Sequence, residues 1–249
     1  MLGKIYFTKM KFAICEIGEV VYKFPTTIGT YKELEYERLG ILKALKDPEF
    51  SKYMPDYDLA RFYIAAKYFD PITIEHSAIQ RLVESLFHKH KYWPNKKLRL
   101  MLGDDLEGRF SKYLKWNNLH LSIWLNNIEI PSSSSHSDLH VGNILVNNVG
   151  HPVIIDWGGY TAESSRFFDL INLSITKSNL SWSVSILALL SKPPLMFNIP
   201  ITYEMLIGYA LWKIDNEIKV LTRYGRLNIA KVRKYVCLLD ELTLIDKER

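Results

Sequence analysis

Short apolar runs separated by turn residues occupy the first 69 residues of the chain. The first runs alternate loosely between apolar and polar positions, and Gly18, Pro25 and the pair Asp70-Pro71 interrupt the pattern. Runs of this period that end at turn residues are typical of antiparallel strands. The pattern therefore predicts five strands, at residues 2–7, 11–17, 20–24, 57–61 and 62–69.

The spacing of apolar residues becomes helical after the third strand and again over most of the second half. Residues 30–45 are expected to form a helix. Its buried side would carry Leu34, Ile41, Leu42 and Leu45. Thr30, followed three residues later by Glu33, predicts a capping box at its start. Further helices are predicted at 74–88, in one or two pieces of 98–125, and at 182–190, 203–223 and 228–244.

A predicted hairpin near the middle of the chain brings polar side chains to one end. Its apolar runs, 143–146 and 152–155, flank a polar turn; Asp138 precedes the first run and Asp156 follows the second. A tight hairpin would place Asp138, Asn143 and Asp156 at the same end of two adjacent strands. Such oxygen ligands suit Mg²⁺, and one of the carboxylates could instead accept the proton of an attacking hydroxyl.

The order of these residues resembles the catalytic segment of the aminoglycoside phosphotransferase and choline kinase superfamily. The matching motif is His136-x-Asp138-x-x-x-x-Asn143, the hairpin, and then Ile-Asp156-Trp-Gly. The resemblance implies an α+β, two-lobed protein-kinase-like fold with a small antiparallel-sheet N-lobe and a mainly helical C-lobe. It implies a nucleotide-binding lobe at residues 1–69 and a catalytic and acceptor-binding lobe at residues 70–249.

The resemblance also implies a role for each polar residue in phosphoryl transfer from ATP with magnesium. Asp138 would be the catalytic base, and Asn143 and Asp156 would be the magnesium ligands. His136 would mainly brace the loop, and Asp169 would hold that loop by hydrogen bonds. Only thirteen positions separate Asp156 from Asp169. This spacing is too short for the segment with which protein kinases bind a polypeptide, so a small-molecule or glycan hydroxyl is the expected acceptor.

In the resembling enzymes a lysine on the third strand orients the ATP phosphates, and a glutamate on the next helix holds it. Lys23 occupies the matching strand position, and three glutamates are available on the helix, at Glu33, Glu35 and Glu37. The arrangement Glu-x-x-x-Leu-x-x-Leu of related phosphotransferases fits Glu35 with Leu39 and Leu42, so Glu35 is the expected partner of Lys23.

The sequence departs from the superfamily at three places. The turn between the first two strands, residues 8–11, contains no glycine; four serines, 132–135, make the entry to the catalytic loop polar and mobile; and Gly158 replaces a frequent acidic residue. The turn without glycine favours a pseudokinase, which binds nucleotide or a protein partner without transferring phosphate. A nucleotidyl-transferring relative is a third class that the sequence leaves open.

Composition narrows the class of protein. With 249 residues, 48% of them hydrophobic, the chain can bury a sizeable core. Cys15 and Cys237 lie in apolar patterns, which indicates buried reduced thiols and a cytoplasmic protein. No run of eighteen apolar residues and no recognisable nucleic-acid-binding module occurs in the sequence. Neither a transmembrane segment nor a nucleic-acid partner is expected, although peripheral membrane contact and the oligomeric state stay open.

The charge pattern bears on the acceptor. The formal net charge is +5, and basic residues are frequent in the C-terminal third, where the acceptor pocket is expected. An aminoglycoside is a polycation and would favour an acidic pocket. The charge therefore favours a neutral or anionic acceptor, such as a sugar of a cell-envelope polysaccharide, over an aminoglycoside.

Overall fold

The chain forms two compact units in a computed structural model that describes residues 4–8, 12–67, 69, 76–114, 120–177, 199–224 and 228–247. Unit 1 comprises residues 1–89 and 134–162, and unit 2 comprises residues 90–133 and 163–249. These units do not follow the expected single boundary between residues 69 and 70. The hairpin segment returns to unit 1 because it packs against helices that precede it in the chain.

Five antiparallel strands form the sheet of unit 1, in the order β1-β2-β3-β5-β4. They are β1 Lys4–Thr8, β2 Phe12–Ile17, β3 Val20–Pro25, β4 Tyr57–Leu59 and β5 Ile64–Lys67. The predicted antiparallel start is confirmed. Lys23 on β3 lies opposite the buried residues Ile14 and Ile64, so its stem leaves the sheet among apolar side chains. The turn without glycine lies mostly at 9–11, outside the described residues.

Helix α1, Ile28–Ala44, has its N-cap at Thr27, three residues before the predicted cap at Thr30. The capping box is formed by Thr27 and Thr30, each hydroxyl accepting the other residue's backbone N–H, so the prediction with Thr30 and Glu33 is wrong. The helix buries Thr30, Leu34, Glu37, Gly40, Ile41 and Ala44. Leu42 and Leu45 lie off that stripe and are exposed by 43% and 45%, which corrects half of the expected buried side.

The predicted hairpin is present, with antiparallel strands at Ile144–Val146 and Pro152–Ile154. In its turn the side-chain oxygen of Asn147 accepts the backbone N–H groups of Val149 and His151. Helix α2, His76–Phe87, belongs to the same unit and buries the residues predicted for it, Ala78, Ile79, Leu82, Val83 and Leu86. Arg81 of α2 donates to the carbonyl oxygen of Gly150 in the turn.

Unit 2 is mainly helical. The described helices of unit 2 are α3 Leu98–Leu102, α4 Leu106–Leu114, α5 His120–Asn127, α6 Arg166–Lys177, α7 Tyr203–Tyr224 and α8 Ile229–Lys247. The strands not yet named are β6 Asn95–Lys97, β7 Glu129–Pro131, β8 Ser133–Ser135 and β11 Thr161–Ser164, and the hairpin strands of unit 1 are numbered β9 and β10. The described residues of 98–125, where one or two helices were predicted, belong to three helices, and Gly103, with a φ of 93°, separates α3 from α4. The helix predicted at 182–190 lies outside the described residues.

The core of unit 2 is packed closely around α7. A Cβ at Gly208 would come within 2.9 Å of Leu98, 3.2 Å of Ile130 and 3.3 Å of Phe168, so α7 approaches all three without space for a side chain.

Both cysteines are free, but Cys237 is exposed and Cys15 is only half-buried, so the expectation of buried thiols is wrong. None of the described helices combines the length and the apolar character that crossing a bilayer requires.

Candidate active site

Lys23 joins two carboxylates that come from distant parts of the chain. Its Nζ donates to Glu37 Oε2 at 2.7 Å and to Asp156 Oδ1 at 2.9 Å, and it lies 4.7 Å from the centre of the Phe12 ring. Glu37 comes from α1, and Asp156 follows β10. The sheet, the helix and the hairpin of unit 1 therefore meet at one partly buried ammonium group.

The partner of Lys23 on α1 is Glu37, and the expectation of Glu35 is wrong. Glu35 accepts from Arg38 at 3.1 Å on the outer side of the helix. Two helical positions differ by about 200° around the axis, so Glu35 and Glu37 face opposite ways. The sequence does indicate that Glu37 faces inward, because it lies three residues after Leu34 and four before Ile41, within the buried stripe.

The charges of this cluster fix its ionisation at neutral pH. Burial acts to lower the pKa of Lys23, but the carboxylates of Glu37 and Asp156 outweigh it and raise that pKa above its ordinary value. Burial acts to raise the pKa of Asp156, but the positive charge of Lys23 outweighs it and lowers that pKa. Burial raises the pKa of Glu37 against the opposing charge of Lys23. Lys23 is thus charged and Asp156 ionised at neutral pH, as a metal ligand must be.

Asp156 adopts a left-handed backbone conformation, with a φ of 62° and a ψ of 60°. A non-glycine residue in this region costs on the order of 1–3 kcal/mol and needs surrounding contacts to hold it. Those contacts come from Trp157, which is fully buried and donates from Nε1 to the carbonyl oxygen of Ile154 at 3.0 Å. The turn leaves the carboxylate of Asp156 half-exposed while both neighbours are anchored.

His136 is fully buried and connects residues 136–143, the expected catalytic loop, to the hairpin. Its Nδ1 accepts from the backbone N–H of Asp138 at 3.4 Å, its Nε2 contacts the carbonyl oxygen of Ile155 at 2.9 Å, and its ring packs edge-on against Trp157. Because a backbone N–H only donates, the proton of this ring lies on Nε2. These contacts are those expected of a side chain that braces the loop.

Asp138 and Asn143 are joined through the loop backbone. The side-chain nitrogen of Asn143 donates to the carbonyl oxygen of Asp138 at 3.0 Å, which fixes the orientation of a side chain that is only 5% exposed. The carbonyl oxygen of Asn143 accepts from the N–H of Ile155 at 3.0 Å. The carboxylate of Asp138 is 60% exposed, as a group that meets an incoming acceptor would be.

The serines that lead into the loop are an ordered strand, which corrects the expectation of a mobile entry. Ser135 is fully buried, and its Oγ accepts from the backbone N–H of Ser137 at 3.0 Å. Ser137 has a φ of 70°, so a buried hydroxyl supports the second left-handed residue of the site. Serine is accommodated at this buried position because its hydroxyl satisfies a backbone N–H of the loop.

The turn after Asp156 packs against α1 without space for a further side chain. A Cβ at Gly40 would overlap the carbonyl oxygen of Trp157. Tyr160 also donates to Asp47 at 3.0 Å, just beyond the end of α1. Gly40, Asp47 and Tyr160 were not expected at the site from the sequence, since nothing in their local pattern indicates a contact more than 100 residues away.

The predicted site residues fall in both units. Six of the positions that matter, Lys23, Glu37, His136, Asp138, Asn143 and Asp156, belong to unit 1. Asp169 lies in the first turn of α6 in unit 2 and is 1% exposed. Its hydrogen bonds to the catalytic loop stay a prediction.

The donor set fits a magnesium ion and does not resemble a site for a softer metal. A half-exposed carboxylate and an amide oxygen are the ligands that Mg²⁺ prefers, with water and phosphate oxygens completing its shell. Asn143 points its amide nitrogen at Asp138, so its oxygen is the atom left for a cation. Among the described residues there is no group of three or more His, Cys, Asp and Glu side chains that could hold a metal without a substrate.

The fold is similar to that of solved choline kinases and of aminoglycoside and macrolide phosphotransferases. No family model matches the chain, and no curated protein matches it. The similarity is therefore one of structure.

Three solved structures illustrate this similarity. Choline kinase LicA from Streptococcus pneumoniae is 15% identical, with a TM-score of 0.57 over 94% of this chain and 89% of that one. A macrolide 2'-phosphotransferase type I is 13% identical, with a TM-score of 0.55 over 94% and 89%. A thermostable mutant of aminoglycoside phosphotransferase APH(4)-Ia is 11% identical, with a TM-score of 0.54 over 96% and 93%. The predicted α+β fold, with an N-terminal antiparallel sheet and a mainly helical remainder, is confirmed.

Proposed function

We propose that this protein transfers the γ-phosphate of ATP to a hydroxyl group of a small molecule or glycan. The observation that carries the proposal is the contact of Lys23 with both Glu37 and Asp156. A lysine held by a helix glutamate, next to an aspartate suited to a metal ion, is the arrangement that phosphoryl transfer requires in kinases. The similarity to small-molecule phosphotransferases supports the same class of reaction.

Each residue has a definite part in this reaction. Lys23, held by Glu37, orients the ATP phosphates, and Asn143 and Asp156 would hold Mg²⁺, which supplies neutralisation of the phosphate charge. The acceptor oxygen attacks the γ-phosphorus, the bond from that phosphorus to the β,γ-bridging oxygen breaks, and ADP leaves. Asp138 receives the proton of the acceptor hydroxyl. Positioning and charge neutralisation account for most of the rate.

The structure weakens the charge argument about the acceptor. Lys219 pairs with the buried Asp215 at 2.6 Å, and Lys231 pairs with Glu217. Lys213 is buried and lies over the Trp212 ring, 5.0 Å from its centre. Three basic side chains in this part of the chain are therefore neutralised or withdrawn from solvent. Sugars, including those of cell-envelope polysaccharides, and amino alcohols form the acceptor set that we propose to screen first.

Binding of ATP with magnesium, measured by calorimetry, tests the proposal together with transfer to that acceptor set. The wild-type protein should bind ATP in a magnesium-dependent manner, and Asp156→Ala should lose this dependence. Asp138→Ala should bind ATP nearly as the wild type does, while transfer falls by about 10²–10⁴-fold, because only base catalysis is lost. Equal loss of binding and transfer in Asp138→Ala would contradict its assigned role.

A pseudokinase is the second candidate. The turn without glycine at 8–11 favours it, because such a turn offers fewer backbone N–H groups to the ATP phosphates. A pseudokinase would bind nucleotide, or none, and show no magnesium-dependent turnover with any acceptor. Transfer of an AMP unit rather than a single phosphate would indicate the nucleotidyl-transferring class instead.

A further inference from the structure

The catalytic loop contains a second histidine, His140, to which the proposed mechanism gives no part. His140 precedes the short turn Val141–Asn143, and its Nδ1 accepts from the backbone N–H of Gly142 at 3.0 Å. Because that N–H can only donate, Nδ1 carries no proton, and the proton of the neutral ring lies on Nε2. The loop backbone therefore selects the tautomer of this ring.

The protonated nitrogen of His140 faces the expected catalytic base. Nε2 lies 3.9 Å from Oδ2 of Asp138, and both side chains are partly exposed, by 33% and 60%. This separation is too long for a direct hydrogen bond. It is short enough to be bridged by a water or closed by a small rotation when substrate binds, as catalytic hydrogen bonds often are.

Gly142 leaves the space in which the ring lies. A Cβ on Gly142 would stand 3.0 Å from Cε1 and 3.1 Å from Nδ1 of His140, closer than side chains normally approach. The glycine is needed here for space rather than for its backbone freedom, since its φ is not positive. The absence of a side chain at Gly142 thus allows the His140 ring to lie beside Asp138.

We propose that His140 is a positioning residue for Asp138, donating from Nε2 to Oδ2 so that the other carboxylate oxygen is turned toward the acceptor hydroxyl. This inference rests on the proposed phosphotransfer function. It also implies that the proton taken by Asp138 does not pass to Nε2 of His140, because that nitrogen already carries one. The proton leaves from Asp138 to water.

Two substitutions separate positioning from a purely structural role. In His140→Gln the amide nitrogen stands near the place of Nε2 and can still donate to Asp138, whereas in His140→Asn the amide oxygen stands near the place of Nδ1 and can only keep the bond from Gly142. His140→Gln should keep most of kcat, and His140→Asn should lower kcat by about tenfold to hundredfold at unchanged KM for ATP.

Any result in which His140→Gln does not exceed His140→Asn in kcat overturns the proposal, because the ring would then serve the loop alone. The same two substitutions at His151, an exposed residue of the hairpin turn, are the matched controls and should leave kcat unchanged. Gly142→Ala should displace the ring and lower kcat as His140→Asn does.

A measurement without turnover keeps this inference separate from the proposed function. In ¹⁵N NMR spectra of the wild-type protein, the ring of His140 should show the Nε2–H tautomer, and its Nε2 resonance should shift in Asp138→Asn. An Nδ1–H tautomer, or no response to Asp138→Asn, overturns the pairing. If the wild-type protein shows no transfer with any acceptor, the proposed function fails, and the NMR result alone decides whether His140 and Asp138 are paired.

Discussion

Lys23 depends on two carboxylates that differ in their surroundings. Glu37 belongs to the buried stripe of α1, with its side chain 11% exposed, while the carboxylate of Asp156 is 51% exposed. A buried ion pair is costly to break from one side only, since the remaining charge keeps its desolvation penalty without its partner. Glu37 is therefore the firmer partner of Lys23, and under the proposed function Asp156 would be the group that exchanges Lys23 for a metal ion.

Glu37→Gln and Glu35→Gln form a matched pair that tests this assignment. Glu37→Gln should lower the free energy of unfolding by roughly 3 kcal/mol and weaken ATP binding, because Lys23 loses its buried counter-charge. Glu35→Gln removes only a surface pair with Arg38 and should change stability by less than about 1 kcal/mol. Urea denaturation and calorimetry measure both quantities. A larger effect of Glu35→Gln than of Glu37→Gln would restore the original expectation.

At the scale of elements, α1 and the turn after Asp156 behave as one block. Gly40 touches Trp157, the Phe50 ring packs edge-on against Trp157 at 5.4 Å, and Tyr160 is bonded to Asp47. The two carboxylates that hold Lys23 lie on these two elements. Their spacing is thus set by backbone packing before any ligand binds.

Gly40→Ala should disturb this block, and Gly29→Ala should not. A methyl group at position 40 meets the Trp157 backbone, so we expect a loss of about 1–3 kcal/mol in the free energy of unfolding and weaker ATP binding. At position 29, on the same helix, the nearest atom would be the Thr27 hydroxyl at 3.7 Å. There alanine should leave stability unchanged or raise it by up to about 1 kcal/mol, since it is the better helix former. Thermal unfolding of the two variants is the measurement, and similar losses in both would mean that α1 does not press on the turn.

At the scale of the whole molecule, the Lys23 cluster couples stability to pH. The pKa of Asp156 is lowered in the folded state from its ordinary value of 3.8. A group of this kind contributes stability above its unfolded pKa and loses it as the pH falls through the folded pKa. The stability of the chain should therefore contain a term from Asp156 that is complete near neutral pH and vanishes below pH 3.8.

Asp156→Asn measures that term, because asparagine keeps the shape and tolerates the left-handed backbone. The wild-type protein should exceed the variant in free energy of unfolding at pH 5–7, and the difference should shrink as the pH falls below 3.8. Denaturation at a series of pH values gives this difference directly. We expect it to be modest, since the carboxylate is half-exposed and solvent screens its charge. A difference that is constant down to pH 2 would show that Asp156 gains nothing from Lys23.

The sequence by itself determined the features that depend on neighbours along the chain. Alternation of apolar residues gave the strands of the sheet, the hairpin followed from two apolar runs around a polar turn, and the order of His136, Asp138, Asn143 and Asp156 predicted a site at one end of it. The spacing of apolar residues and the residue types of turns are local properties, so they indicate structure without knowledge of the fold. The helical spacing of the buried residues of α1 also indicates Glu37, which lies on the same side of the helix as Leu34 and Ile41. Glu35 lies on the opposite side.

Only the tertiary structure decided which distant groups meet. The contacts of Gly40 with Trp157 and of Asp47 with Tyr160 join residues more than 100 positions apart, and no local pattern marks them. The same holds for the contact of Lys23 with Asp156 at 2.9 Å, which joins two residues 133 positions apart. The sequence specifies which side chains are present. The distances between a carboxylate, an ammonium group or a ring nitrogen and its partners are set only when the chain packs.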